Sequence, residues 1–260
     1  MAADPFAFSS PWAKPLRGKT ALVTGAGRGI GRGVAEELAA AGAGVIAADL
    51  SLESARETAA GLGGAAAAAL PVDVADPESV GQLVRSITEA GHPIDILANV
   101  AGVISFGPVA DLPVAEWDRI MAVNARGVFL VSQAVLPVMM EAGAGAIVNI
   151  SSAAGKDGVA GSAHYSSSKF AVVGFTQSLA KEVAEFGIRV NAVCPGVVPT
   201  QMIDDVGAAW QMSTDQMVAE WQLIKRPQQA REIGAAVVFL AIMTSMTGQS
   251  INVDGGSIFH

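Results

Sequence analysis

TALVTGAGRGIG, residues 20–31, is the stretch that decides the fold. It opens as a short apolar run, residues 20–25, that reads as a strand. From about Ile30 to Ala41 the apolar positions Val34, Leu38 and Ala41 recur at helical spacing. Between the two lie Gly25, Gly29 and Gly31, in the pattern G-x-x-x-G-x-G rather than the commoner G-x-G-x-x-G. Glycines in a strand-to-helix turn let backbone approach a pyrophosphate, whose charge then rests on the helix N-terminus. A glycine-rich turn alone is weak evidence in a chain with 29 glycines. Its place after a strand, before a helix and at the start of the alternation is what gives it meaning.

Outward from this turn the same alternation repeats. Strands are expected over 44–50, 66–74, 94–102, 146–152, 188–196 and 250–256. Helices are expected over 51–61 with Ser51 as cap, from Asp76-Pro77 onward, and over 114–140, 165–185 and 230–241. Strands that are apolar along their whole length suit a sheet covered on both faces. The expected fold is therefore α/β: a single-domain, Rossmann-like, doubly wound parallel sheet of about seven strands. Residues 1–17 read as an N-terminal arm, 18–260 as the domain, and about 197–227 as a lid. In such sheets the ligand sits beyond the carboxyl ends of the strands.

Composition narrows the class. The net charge is −8, so phosphate backbones and anionic membranes are poor partners. The N-terminus lacks the apolar core of a signal peptide, and no apolar stretch of about 18 residues runs unbroken by charge, glycine or proline. One cysteine, Cys194, permits no internal disulfide and fits a reducing, cytoplasmic setting; it reads as a buried strand residue. No metal-binding cluster is expected.

At strand ends stand the polar residues that such a fold would use. Asp49 ends the second strand, 24 residues after Gly25. A carboxylate there can accept from both ribose hydroxyls of NAD and would repel the 2′-phosphate of NADP; alternatively it caps the following helix. Arg28 argues the other way, since a cation in this turn can meet a 2′-phosphate. Asp73 can reach an adenine edge, and Asn99 to Gly102 place small residues where the adenine ribose should lie; both are also ordinary strand-end residues.

Tyr165, the only tyrosine, and Lys169 are four residues apart, on one face of a helix. A free phenol titrates near 10 and is no base at neutral pH, but a nearby ammonium favours phenolate. Ser152, 13 residues earlier, follows the fifth strand and can hold a substrate oxygen while tyrosine moves the proton. Asn124 lies mid-helix, where asparagine is slightly unfavourable, and can hold a water linking Lys169 to solvent. Each residue taken singly also fits a solvated helix face or a strand end.

Together TGAGRGIG (24–31), NVAG (99–102), Asn124 in VNARG, Ser152 in NISS, YSSSK (165–169), PGVVPT (195–200) and NVDGG (252–256) resemble the short-chain dehydrogenase/reductase family, from about residue 18 to the end. The resemblance implies an NAD(P)-dependent oxidoreductase with Asn124, Ser152, Tyr165 and Lys169 as catalytic tetrad. It implies that Lys169 also binds the nicotinamide ribose, and that Val198 and Thr200 meet the carboxamide. The cofactor is expected along Gly25, Arg28, Gly29, Ile30, Gly31, Asp49, Asp73, Val74, Asn99, Ala101, Gly102, Pro195 and Gly196, as NAD rather than NADP. Val100 departs from the family, which usually has a second asparagine there.

The lid carries Met202, Ile203, Val206, Trp210, Met212, Met217, Trp221 and Leu223, so it either caps a fairly apolar alcohol or ketone or simply packs on the core. His164, Lys156 and Asp157 either line the pocket or are exposed. Low charge content and apolar helices 114–140 and 165–185 suggest a homotetramer, an arrangement common in the family. The competing functions are an NADPH-dependent 3-oxoacyl-carrier-protein reductase and a nucleotide-binding regulator without turnover.

Overall fold

The computed structural model describes residues 14–260. Seven strands, β1 (Thr20–Thr24), β2 (Gly44–Asp49), β3 (Ala66–Pro71), β4 (Ile96–Asn99), β5 (Gly145–Ile150), β6 (Ile188–Pro195) and β7 (Ser250–Val253), form one sheet. All pairs are parallel, in the order β3-β2-β1-β4-β5-β6-β7. The chain therefore leaves β1 toward one edge, returns, and continues from β4 toward the other. Between β1 and β4 the connections diverge, and a crevice opens at the carboxyl ends of these strands.

Side chains of β1 alternate between two cores. Ala21 and Val23 pack with Val34 and Leu38 of α1 (Gly29–Ala40), Ala55 of α2 (Leu52–Gly61), and Ile233, Val237 and Leu240 of α9 (Ala230–Ile242). Leu22 faces the other layer, with Val80, Leu83 and Ile87 of α3 (Pro77–Glu89), Val131 and Met139 of α5 (Gly127–Ala142), and Leu179 and Val183 of α6 (Ala163–Val183). Each fully buried leucine or isoleucine contributes about 1.5–3 kcal/mol, so these two layers hold the sheet that carries the site. Ser51 and Asp76 cap α2 and α3 as expected, accepting from Ser54 N and from Glu78 N and Ser79 N.

Several boundaries differ from the sequence expectation; β4 and β7 end three residues early, at Asn99 and Val253. β3 stops at Pro71 rather than near residue 74, since proline has no N–H to give the ladder. The helix expected over 114–140 is α4 (Val114–Met121) and α5 joined by a π-helical turn, 122–126. One extra residue in that turn swings Asn124 inward, where it is fully buried. The segment expected as a lid folds as two short helices, α7 (Gln201–Trp210) and α8 (Thr214–Trp221), and the chain from 222 to 229 is not helical. Between the helices Gln211 takes a left-handed conformation, φ 54°, unusual for a residue with a side chain.

Of the expected arm, residues 1–13 lie outside the described residues; residues 14–17 form a turn that buries Leu16 in the core. The run Val114–Ala142, 29 residues, is long and apolar enough in composition to match a membrane span, despite Gly127 and Pro137 within it. Here Val131, Val135 and Met139 pack against the sheet.

Candidate active site

The glycine turn is built by backbone. Gly25 has φ 66°, and a Cβ on it would lie 2.7 Å from Ala101 Cα, so β1 and the segment after β4 touch main chain to main chain. Thr24 Oγ1 closes this contact by accepting from Val100 N at 3.1 Å. Gly29, φ 53°, opens α1 beside Thr200, whose Cγ2 would be 3.1 Å from an added Cβ. The glycine turn and the residues after β6 thus face one another, with Ile30 partly buried behind them.

Asp49 sits where β2 ends, partly exposed. Its Oδ2 accepts from Gly27 N at 2.8 Å and its Oδ1 from Ser51 N at 2.9 Å. The alternative that Asp49 caps α2 gives way to Ser51, which does so itself. Each Asp49 oxygen keeps a free lone pair for another donor. Arg28 is exposed at the N-cap position of α1 and makes no side-chain cap bond; Arg32, one turn on, is occupied by Gly27 O at 2.7 Å and by Glu57.

Tyr165 and Lys169 lie on one buried face of α6, at 8% and 4% exposure. The Lys169 ammonium is 5.7 Å from the tyrosine ring centroid and donates to Ile150 O at 3.0 Å. Burial pulls the lysine pKa down to about 8. Burial pushes the phenol pKa up, and the neighbouring Ser152 hydroxyl draws it partly back. Ser152 is extended backbone at the end of β5, and its Oγ also accepts from Ala154 N at 3.2 Å. Asn124 is more tightly held than a water-binding residue need be. Its Nδ2 donates to Val103 O at 2.8 Å and Ser168 Oγ at 3.0 Å, and its Oδ1 accepts from Val103 N at 2.8 Å. One Oδ1 lone pair remains. A Cβ on Gly102 would lie 3.4 Å from both Asn124 Oδ1 and Lys169 Nζ. Glycine at 102 leaves the space between these two polar groups open.

Other candidates are placed differently. The Asn99 amide turns into the packed layer, donating to Ser132 Oγ at 3.1 Å and Asn149 Oδ1 at 2.9 Å, and its Oδ1 is buried without a partner. Asp73 is exposed after β3, holding Ala75 N at 2.9 Å; Val74 is buried against Gly127. Pro195 ends β6, Gly196 packs against Asp254, and Val198 is buried, accepting from Thr200 Oγ1 at 3.2 Å. Lys156 points to β7, donating to Ser250 O at 2.7 Å, and Asp157 is exposed. His164, left open between pocket and solvent by the sequence, is fully buried.

The segment 103–107 was not singled out by the sequence, yet it joins both sides of the site. Val103 and Ile104 pack against Tyr165, Ala154 and Ile120. Ile104 and Phe106 also pack on the lid. Phe106 stacks edge-on to Trp210 at 5.2 Å between centroids, and Trp210 to Trp221 at 5.4 Å. Its only sequence signal is an apolar run broken by serine, VISFG, which many loops share.

These residues fit a dinucleotide. α1 starts with no side-chain cap and no acid in its first turn, unlike α2 and α3, so no side chain of its own competes with an anion for its first N–H groups. Asp49 offers acceptors for a ribose diol. Among the described residues no group of three or more His, Cys, Asp or Glu is placed to hold a metal ion.

Known proteins resemble this chain along most of its length. The sequence model of a family described as short chain dehydrogenase matches residues 19–210. Sorbitol dehydrogenase of Cereibacter sphaeroides is 37% identical, the match covering 93% of this chain and 98% of that protein. A 3-oxoacyl-[acyl-carrier-protein] reductase of Vibrio cholerae is 38% identical with the same coverage, 93% and 98%. A crystal structure described as ribose-5-phosphate isomerase from Brucella melitensis 16M has a TM-score of 0.88 at 34% identity, over 94% of each chain.

Proposed function

Because this chain belongs to the short-chain dehydrogenase family and is an NAD(P)-dependent oxidoreductase, we propose that it works with NAD on a secondary alcohol or ketone, with Tyr165 exchanging the proton. The observation that carries this reading is the burial of Tyr165 and Lys169 together, one helical turn apart, beside Ser152.

The chain's own residues divide the work. Ser152 donates to the substrate oxygen and holds it against the Tyr165 hydroxyl. Tyr165 gives a proton to that oxygen in reduction and takes it in oxidation. To act as base near pH 7, the phenol must drop about three units, roughly 4 kcal/mol. Burial opposes this, so cations must supply it: Lys169 is one. When bound, the dinucleotide supplies the hydride-carrying ring and, in its oxidised form, a further positive charge. Lys169 passes the proton outward to a water that the remaining lone pair of Asn124 can hold in the space left by Gly102.

Asp49 supports NAD over NADP, because a carboxylate at this position attracts ribose hydroxyls and repels a phosphate. The apolar walls at Val103, Ile104, Phe106 and Trp210 support a substrate whose carbinol carries apolar substituents. A second reading, NADPH-linked reduction of acyl-carrier thioesters, draws on the exposed Arg28 in the glycine turn and the likeness to the Vibrio cholerae reductase. Phe129 and Phe170, 41% and 46% exposed on α5 and α6, support a homotetramer built on those helices, and the lone cysteine supports a cytoplasmic setting.

Replacing Tyr165 with phenylalanine tests the reading. Turnover on a panel of secondary alcohols and ketones should fall at least about a thousandfold, with NAD affinity by titration within a factor of about two. Retained turnover would reject it. No turnover by the native protein, with cofactor bound, would favour a nucleotide-binding regulator.

A further inference from the structure

Arg32, in the first turn of α1, and Thr58, in the middle of α2, take no part in the reaction as proposed, yet both grip the glycine turn from behind. Thr58 is buried, and its Oγ1 donates to Ala26 O at 2.9 Å. The same Oγ1 accepts from Arg32 Nε at 3.1 Å. Arg32 Nη2 donates to Gly27 O at 2.7 Å. Its contact with Glu57 is longer, 3.3 Å, and reaches an exposed carboxylate, so it contributes little. The guanidinium is thus engaged chiefly by one hydroxyl and one backbone carbonyl.

Peptide geometry gives these bonds a consequence on the opposite side of the turn. A trans peptide points its N–H away from its C=O, and no described peptide is cis. With Ala26 O held by Thr58, Gly27 N points the other way and donates to Asp49 Oδ2 at 2.8 Å. With Gly27 O held by Arg32, Arg28 N likewise points away from the guanidinium. Arg28 N has no acceptor among the described residues. Gly25 O is packed under Gly31, where a Cβ would collide with it. Three successive carbonyls, of residues 25, 26 and 27, are therefore engaged within the protein.

A glycine-rich turn needs such holding. Gly27 takes either sense of the 27–28 peptide at little cost, and a flipped peptide would replace an N–H by a carbonyl oxygen. N–H groups attract a phosphate and carbonyl oxygens repel it. Arg32 also acts electrostatically. A cation on Gly27 O polarises the peptide and strengthens Arg28 N–H as a donor, because hydrogen bonds in series reinforce one another.

We propose that Arg32 and Thr58 form a brace that fixes the 26–27 and 27–28 peptides in the sense that accepts a diphosphate. Both are positioning residues, acting through the main chain of Gly27 and Arg28. This rests on the reading of the glycine turn as a dinucleotide site.

Binding to the full-length protein tests the brace without turnover. ADP-ribose, which carries the diphosphate, is titrated beside adenosine, which does not. Arg32→Met should weaken ADP-ribose about tenfold and adenosine less than about twofold. Thr58→Val should weaken ADP-ribose by about as much, and Thr58→Ser, which keeps the hydroxyl, should stay within about threefold of native. Because the two residues act as one unit, combining Arg32→Met with Thr58→Val should weaken ADP-ribose no more than about twofold beyond the weaker-binding single variant. Native ADP-ribose affinity in Arg32→Met overturns the brace. So does an equal loss of adenosine, which would mark general damage to the turn, and so do fully additive losses. The second readout is the Arg28 backbone N–H, followed with nitrogen-15 arginine and assigned by its disappearance in Arg28→Lys. ADP-ribose should move its proton downfield in the native protein, and by less than about half as much in Arg32→Met. An equal movement in both overturns the brace. If the native protein binds neither NAD nor ADP-ribose, the dinucleotide reading itself fails, and the brace with it.

Discussion

The two ends of the crevice are built from different materials. The cofactor end, β1, the glycine turn, α1 and the tip of β2, is shaped by main chain: two glycines at positive φ, an uncapped helix start and one carboxylate held by backbone N–H groups. The substrate end, segment 103–107 with α7 and α8, is shaped by side chains: Ile104, Phe106, Trp210, Met212 and Trp221 in edge-on and apolar contact. Main-chain sites demand particular residues at particular spacings, because only glycine takes those conformations cheaply. Side-chain sites can be filled by many apolar sets of similar volume. The cofactor end therefore states its ligand class, whereas the substrate end states only polarity and size.

The largest effect is expected where the two ends meet. Lys169→Met should lower turnover roughly a thousandfold yet stabilise the folded protein at pH 7. The folded pKa of Lys169, about 8, is below the unfolded value of 10.5, so its charge is a penalty to folding. That penalty is fully present below pH 8, fades from 8 to 10.5, and is absent above. It amounts to at most roughly 3 kcal/mol. Urea unfolding at pH 7 and pH 10.5 should show the variant's advantage at the first and not at the second; an equal advantage at both would rule out the ionic cause.

Gly25→Val attacks the main-chain end directly. The strained φ and the clash with Ala101 should lower NAD affinity on the order of a hundredfold, about 3 kcal/mol, by fluorescence titration, and lower thermal stability too. Binding left intact would show that the turn is structural only. A smaller change follows at the β2 tip: Asp49→Ala should weaken NAD about tenfold and leave NADP unchanged or tighter. A native preference for NADP would instead support the carrier-thioester reading. The mildest change is at the side-chain end. Trp210→Ala should raise KM about fivefold with NAD affinity unchanged, and lower stability by roughly 1–2 kcal/mol, since Trp210 is only partly buried. If cofactor binding falls as well, the two ends are not separable.

How much was legible can be read from particular residues. Ser51 and Asp76-Pro77 announced helix starts because caps are local: the bond closes within three residues. Tyr165 and Lys169 announced a shared face because helical spacing is local too. The π turn at 122–126 was not legible, since it exists so that Asn124 can grip Val103, 21 residues earlier. Asn99 was expected along the cofactor by its place at a strand end, but its amide bonds Ser132 and Asn149, 33 and 50 residues later. His164 was ambiguous for the same reason: its partner Ser105 is 59 residues away.

By itself the sequence determined the alternating strands and helices, the parallel sheet, the glycine turn between β1 and α1 and the shared helix face of Tyr165 and Lys169. Each of those depends on contacts within a turn or two, or on an apolar run long enough to be buried on both faces. Only the tertiary structure decided which way buried amides and the imidazole point, how Asp49 spends its oxygens, and which aromatics wall the substrate end. Those choices are made by partners far along the chain, brought to hydrogen-bond distance only when the two layers close on the sheet.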